Sequence, residues 1–137
     1  MKKILVVGYG SIGLRHVNNL KKFNCKVSIL ENQRKEFPSD CKVYREINDI
    51  DAIFDGIIIS TPTSDHIKCL NNLLDFSDYF LIEKPVSHDT TEKKLVKKKR
   101  GKKIFVSCNM RFHDAINIIK RNLELVGDVY YANAFYG

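Results

Sequence analysis

No stretch of the chain approaches the roughly 18 consecutive apolar residues that a membrane-spanning helix requires, so no such helix is expected. The opening MKKILVVG has two lysines and an apolar run, as a leader peptide does. The run is too short, however, and no small-residue cleavage site precedes the glycine turn. It reads as the first strand of a cytoplasmic protein. Close cysteine pairs are also missing. The four cysteines, Cys25, Cys41, Cys69 and Cys108, form no CxxC, which leaves no zinc or redox spacing, and no metal is expected. They read as reduced, mostly buried, small apolar residues. Internal repeats are absent, and low complexity is confined to one lysine run.

That run, EKKLVKKKRGKK, places eight basic residues between Lys93 and Lys103 and supplies much of the net charge of +7. Basic blocks can bind nucleic acid or a membrane surface. Here no aromatic residue interleaves as a base-stacking platform would need, and Leu95 and Val96 sit where a helix could turn them to a core. The run reads as the solvated face of an amphipathic helix, favoured near its C-terminus by the helix dipole. Neither nucleic acid nor membrane is expected as a partner.

What is present is a chain of 137 residues with 44% apolar content, enough for one domain, or one and the start of another. Short apolar runs alternate with helix-period segments. Strands are expected at KKILVVG, KVSILE, CKVY, DGIIIS, DYFLIEK and GKKIFVSCN. Helices are expected at SIGLRHVNNLKKF, where Ser11 is placed as the cap, and at TPTSDHIKCLNNLLDF, SHDTTEKKLVKKKR and RFHDAINIIKRNLELVG, the last stopped by Gly127. DVYYANAFYG then alternates as a further strand. This order predicts an α/β fold: a doubly wound parallel sheet of about six strands with helices on both faces.

The first strand runs into Gly8-x-Gly10-x-x-Gly13 and a helix, and the second strand ends in an acid, Glu31. In that context each glycine has a task. Gly8 turns the chain out of the strand, Gly10 lets a diphosphate approach the backbone, and Gly13 lets the helix pack on the strand. The helix N-terminus offers N–H groups and partial positive charge to the phosphates. Glu31 can accept hydrogen bonds from both ribose hydroxyls and would repel a 2′-phosphate, which favours NAD over NADP; Arg34 nearby softens that choice.

Three further segments, with the glycine loop, resemble one family, the Gfo/Idh/MocA oxidoreductases. STPTSDH (Ser60 to His66) is similar to the TPxxxH stretch after that family's fourth strand. LIEKP (Leu81 to Pro85) is similar to its EKP motif. SCNMRFHDA (Ser107 to Ala115) resembles the segment after its sixth strand, where an Asn and an Arg-Phe pair recur. GYGSIGLRH matches its glycine loop, which often carries a His at that helix position. The resemblance covers residues 3 to about 115. It implies a Rossmann dinucleotide-binding domain over residues 1–110, then a connecting helix and the first strand of a second α/β domain over 111–137.

The resemblance also implies residue roles. Gly8, Tyr9, Gly10, Ser11, Ile12 and Gly13 form the loop around the diphosphate. Lys84 lies near the nicotinamide and substrate, where it positions the hydroxyl and moves its proton; a lysine partly desolvated beside a cofactor suits acid–base work. Glu83 shapes the pocket and Pro85 fixes the local backbone, with a cis bond open to it. Ser60, Thr61 and Pro62 line the cofactor, His66 caps the pocket, and Asn109 and Arg111 border the nicotinamide end. His16, His88 and His113 read as ordinary surface or helix residues.

Members of that family carry a second domain that covers the nicotinamide and supplies an Asp-x-x-x-His, which this sequence does not contain. The expectation is a truncated chain that binds NAD but turns over substrate poorly alone, and that forms homo-oligomers when full length. The reaction implied is hydride transfer between nicotinamide C4 and a secondary alcohol of a sugar, nucleotide sugar or cyclitol. SCNMRFHDA resembles members encoded with surface-polysaccharide genes, which leans toward nucleotide sugars. The alternative is a non-catalytic dinucleotide-sensing or interaction module.

Overall fold

The computed structural model describes residues 1–89 and 101–135. At the centre of a six-stranded sheet lies β1 (Lys3–Val7), flanked by β2 (Lys26–Leu30) and β4 (Gly56–Ile59). With β3 (Lys42–Tyr44), β5 (Tyr79–Ile82) and β6 (Lys103–Val106), the strand order is β3-β2-β1-β4-β5-β6. Every pairing is parallel. The expected doubly wound sheet is therefore present, with its order reversing between β1 and β4, where such folds bind ligands at the C-terminal strand ends.

The apolar runs of β1, β2, β4 and β5 have both faces covered, whereas β6 is exposed along its length. Successive side chains alternate, so Leu5, Val7, Ile57, Ile59, Phe80 and Ile82 enter one core cluster, and Val6, Ile29 and Ile58 the other. The helix α1 (Ser11–Lys22) closes the second cluster with Val17. The helix α2 (His66–Leu73) closes the first with Leu70 and Leu73. Each such fully buried aliphatic side chain contributes about 1.5–3 kcal/mol.

The ends of α1 differ in character. Gly10, not Ser11, is the N-cap, and no side chain caps the helix. Ser11 has helical geometry already, so its hydroxyl lies one position too late to accept from the first turn. At the other end, Asn24 takes φ +54°, and the N–H groups of Asn24 and Cys25 donate to Lys21 O and Leu20 O at 3.0 and 3.1 Å. This double closure stops the helix and turns the chain into β2.

The chain divides into two compact units, residues 1–107 and 108–137. The lysine-rich helix expected over 87–100 lies, from residue 90 onward, outside the described residues. In the second unit the single helix expected over 111–127 is broken into a 3-10 turn (Asn109–Phe112), α3 (Asp114–Arg121) and α4 (Leu123–Val126). Asn122 makes the break: its side-chain amide donates to Ile118 O at 2.8 Å, and short polar side chains that bind nearby backbone compete with helix propagation. Gly127, at φ +74°, ends α4. The strand expected from Asp128 is not formed among the described residues 128–135, which present no second strand of that unit to pair with. The apolar stripe of Ile118, Ile119 and Leu123 is exposed.

Candidate functional site

The glycine turn is built against the end of β4. Gly8 leaves β1 with φ +86°, and a Cβ there would lie 2.9 Å from Ser60 O and Thr61 N. Both its backbone angle and its space demand glycine. At Gly13 a Cβ would run into the Gly8 carbonyl, so α1 can approach the turn this closely only without a side chain. Ser60 braces the same turn, its hydroxyl shared between Val7 O and Gly8 O, each at 3.0 Å. Gly10 differs: among the described residues, nothing beyond its chain neighbours lies within 4 Å of where its Cβ would be. The packing of the chain does not require glycine there, and the open space lies beside the uncapped N-terminus of α1.

Glu31 follows β2 directly. Its Oε2 accepts the Tyr9 N–H at 2.9 Å and its Oε1 accepts the Gln33 N–H at 2.8 Å. Burial pushes this carboxyl up, but the N–H groups of Gln33, Tyr9 and Asn32 and the charge of Arg34 outweigh it and hold it below the usual range. The carboxylate is thus ionised and aimed before any ligand arrives, and each oxygen keeps a lone pair for a hydroxyl. The Tyr9 ring is buried against Phe37, centroids 5.3 Å apart, so this residue offers its backbone to the site. Arg45 ties the loop down, donating to Glu31 O and Arg34 O at 3.2 and 2.6 Å.

These features fit a dinucleotide. First-turn N–H groups without a side-chain cap, open space at Gly10 and no acid in the first turn suit a diphosphate. The oriented Glu31 carboxylate suits vicinal ribose hydroxyls. A cleft of about 270 Å³ opens at the opposite, N-terminal end of the sheet, lined by Lys2, Asp55, Asp78 and Lys102. Salt-bridged lysines line it.

The ends of β4 and β5 carry the remaining candidates. His66 is 1% exposed, with Nε2 at 2.8 Å from Thr61 O and Nδ1 at 3.0 Å from Pro85 O. A neutral ring donates one of these hydrogen bonds and an imidazolium donates both. Its ring links the two loops rather than projecting into open space. Thr61 Oγ1 reaches Cys69 Sγ at 4.0 Å. Lys84 is exposed rather than partly desolvated, and the Lys84–Pro85 bond is cis.

Glu83 has a partner that sequence reasoning set aside. His16 Nε2 stands 2.7 Å from Glu83 Oε1, and the two side chains are 19% and 17% exposed. Burial pushes the Glu83 carboxyl up, but hydrogen bonds from His16 and Ser107 outweigh it and keep it below the usual range. The signal was the histidine of GYGSIGLRH, but its partner lies 67 residues away and nothing local in the sequence points to it. Asn109 and Arg111 belong to the second unit, where they share its exposed 3-10 turn. Asn109 Oδ1 accepts the Met110 N–H at 3.0 Å, and the Arg111 N–H donates to Cys108 O at 3.1 Å.

Similarity to known proteins follows the same lines. No curated protein matches the chain. Solved structures share its fold. Scyllo-inositol dehydrogenase from Lactobacillus casei, with NAD(H) and scyllo-inositol bound, superposes with a TM-score of 0.75 at 19% identity, over 93% of this chain and 43% of its own. The WlbA dehydrogenase from Thermus thermophilus, in complex with NAD and UDP-GlcNAcA, gives 0.72 at 18% identity, over 91% and 47%. UDP-N-acetylglucosamine 3-dehydrogenase from Acidithiobacillus ferrooxidans gives 0.70 at 22%, over 88% and 41%. The chain spans less than half the length of each. The family described as "Oxidoreductase family, NAD-binding Rossmann fold" matches residues 2–109. With the strand order, the glycine turn and the oriented Glu31 already in place, the chain belongs to the Gfo/Idh/MocA oxidoreductases and carries their NAD-binding Rossmann domain.

Proposed function

We propose that the chain is the NAD(H)-binding part of a dehydrogenase acting on a secondary alcohol of a sugar-type substrate. The observation that carries this is the pairing of an uncapped α1 N-terminus beside open Gly10 with a pre-aimed Glu31 carboxylate. When bound, the nicotinamide accepts or gives a hydride at C4. The first-turn N–H groups of α1 hold the diphosphate, and Glu31 holds the adenosine ribose. Ser60, Thr61 and Pro62 line the groove beyond. Lys84 Nζ holds the substrate hydroxyl and moves its proton.

Scyllo-inositol in one fold neighbour and UDP-GlcNAcA in another support a cyclitol or nucleotide sugar, with the nucleotide sugar preferred. The matched region is less than half of each of those neighbours, which supports assigning substrate closure to a second domain such as theirs, and turnover by the 137 residues alone is expected to be poor. Homo-oligomers are expected where such a second domain is present, and the four free thiols suit a reducing cytoplasm. A non-catalytic dinucleotide-sensing role is the second reading, favoured by the exposure of Lys84.

The test titrates the chain with NADH and then supplies NAD with scyllo-inositol or UDP-N-acetylglucosamine derivatives while NADH formation is followed. Binding is expected, and Lys84→Met is expected to leave affinity within about twofold while cutting any hydride transfer by about 10²-fold or more. Absence of NADH binding contradicts the proposal. Turnover that survives Lys84→Met contradicts the role of that lysine.

A further inference from the structure

We propose that His16 is a positioning residue for the nicotinamide half of the dinucleotide, acting through Glu83. The inference rests on the NAD-binding reading above and extends it to a residue that touches neither cofactor nor substrate. Strand order sets the geometry. With the diphosphate at the β1 turn and the adenosine ribose at Glu31 after β2, the other half of the dinucleotide extends the opposite way, over the ends of β4 and β5. Glu83 and Lys84 stand at that β5 end, and the Glu83 N–H is tied to Ile59 O at 2.9 Å.

Two donors meet the Glu83 carboxylate: His16, one turn and more into α1, stands at 2.7 Å from Oε1, and the Lys84 N–H reaches Oε2 at 3.3 Å. The helix whose N-terminus receives the diphosphate is thereby pinned to the residue preceding Lys84. Both side chains of the His16–Glu83 pair are more than four-fifths buried, so the pair is not a solvent-screened surface contact. Without His16 the carboxylate is left partly buried and short of a donor, and it must turn toward water. Its motion carries the Lys84 backbone with it. Glu31 is held separately, by the N–H groups of Tyr9 and Gln33.

NADH and ADP-ribose separate the two ends, because ADP-ribose keeps the adenosine and diphosphate and lacks the nicotinamide. Both are titrated against the wild type, His16→Ala and His16→Gln; the glutamine amide can still donate to Glu83. The expected result is NADH affinity weakened about threefold to tenfold in His16→Ala, ADP-ribose affinity unchanged within about twofold, and recovery of NADH affinity in His16→Gln. Equal weakening of both ligands shows a general loss of structure and overturns the inference, as does unchanged NADH affinity in His16→Ala. If the wild type binds neither ligand, the NAD reading itself fails and the inference falls with it. If the wild type binds both and the variants do not discriminate, the inference alone fails.

Discussion

An alanine at Gly13 would carry its methyl group into the carbonyl oxygen of Gly8 and to within 3.0 Å of both the Gly8 carbonyl carbon and Ser60 Oγ. The Gly8 carbonyl is main chain, in a turn held at φ +86°, and the Ser60 hydroxyl is already committed to Val7 O and Gly8 O. Neither neighbour can yield at small cost, so α1 must back away from the sheet. Val17 then loosens its seat in the core cluster it shares with Val6 and Ile29. Overpacking against backbone of this kind costs about 3 kcal/mol, the upper part of the usual range. For a chain of this size each kcal/mol lowers the melting temperature by about 3–5 °C, so Gly13→Ala is expected to melt roughly 10 °C below wild type without any nucleotide. Thermal unfolding followed by circular dichroism measures this. A melting temperature within about 2 °C of wild type would refute the close approach of α1 to the turn.

Two further outcomes follow from the carboxylates. Glu31→Gln sets an amide N–H against the N–H of Tyr9 or Gln33 and removes the charge; NAD affinity is expected to fall about tenfold and the preference for NAD over NADP to shrink, and an unchanged preference counts against Glu31 as ribose acceptor. The carboxyl of Glu83 lies below its ordinary value of 4.5 in the folded chain, so the unfolded chain binds its proton first as pH falls. The stability it contributes is present above that ordinary value and is lost as pH drops through the folded one. Glu83→Gln should therefore lose less stability than wild type over that acidic window in urea unfolding, and an equal loss would contradict the His16 hydrogen bond.

Much of the sheet was legible because its central strands are buried on both faces and carry their signal locally: LVV, KVSIL and GIII need no partner to be recognised. The glycine loop was legible because its spacing follows an apolar run and opens a helix-period segment within a few residues. What escaped depended on distance or on competition. His16 looked like an ordinary helix residue because Glu83 is remote in sequence, and the bonds that Ser60 and His66 make within the fold likewise join residues far apart in the chain. Asn122 broke a helix whose apolar periodicity continued past it, since periodicity does not register a side chain that captures a backbone carbonyl. The residues after Asp128 alternate as a strand does, but alternation cannot supply the neighbouring strand that pairing requires.

The central claim is that a diphosphate settles against bare main chain at Gly10. Thermal melts of the wild type and Gly10→Val, each with and without saturating NAD, test it most directly. Among the described residues nothing beyond its chain neighbours stands within 4 Å of a Cβ there, and the backbone angles φ −74°, ψ −165° suit a valine, so the two unliganded chains should melt within a few degrees of each other. NAD at about 100 times its dissociation constant should stabilise the wild type by about 2.7 kcal/mol and leave Gly10→Val unmoved. An equal NAD-induced shift in both chains, or none in the wild type, would contradict the account.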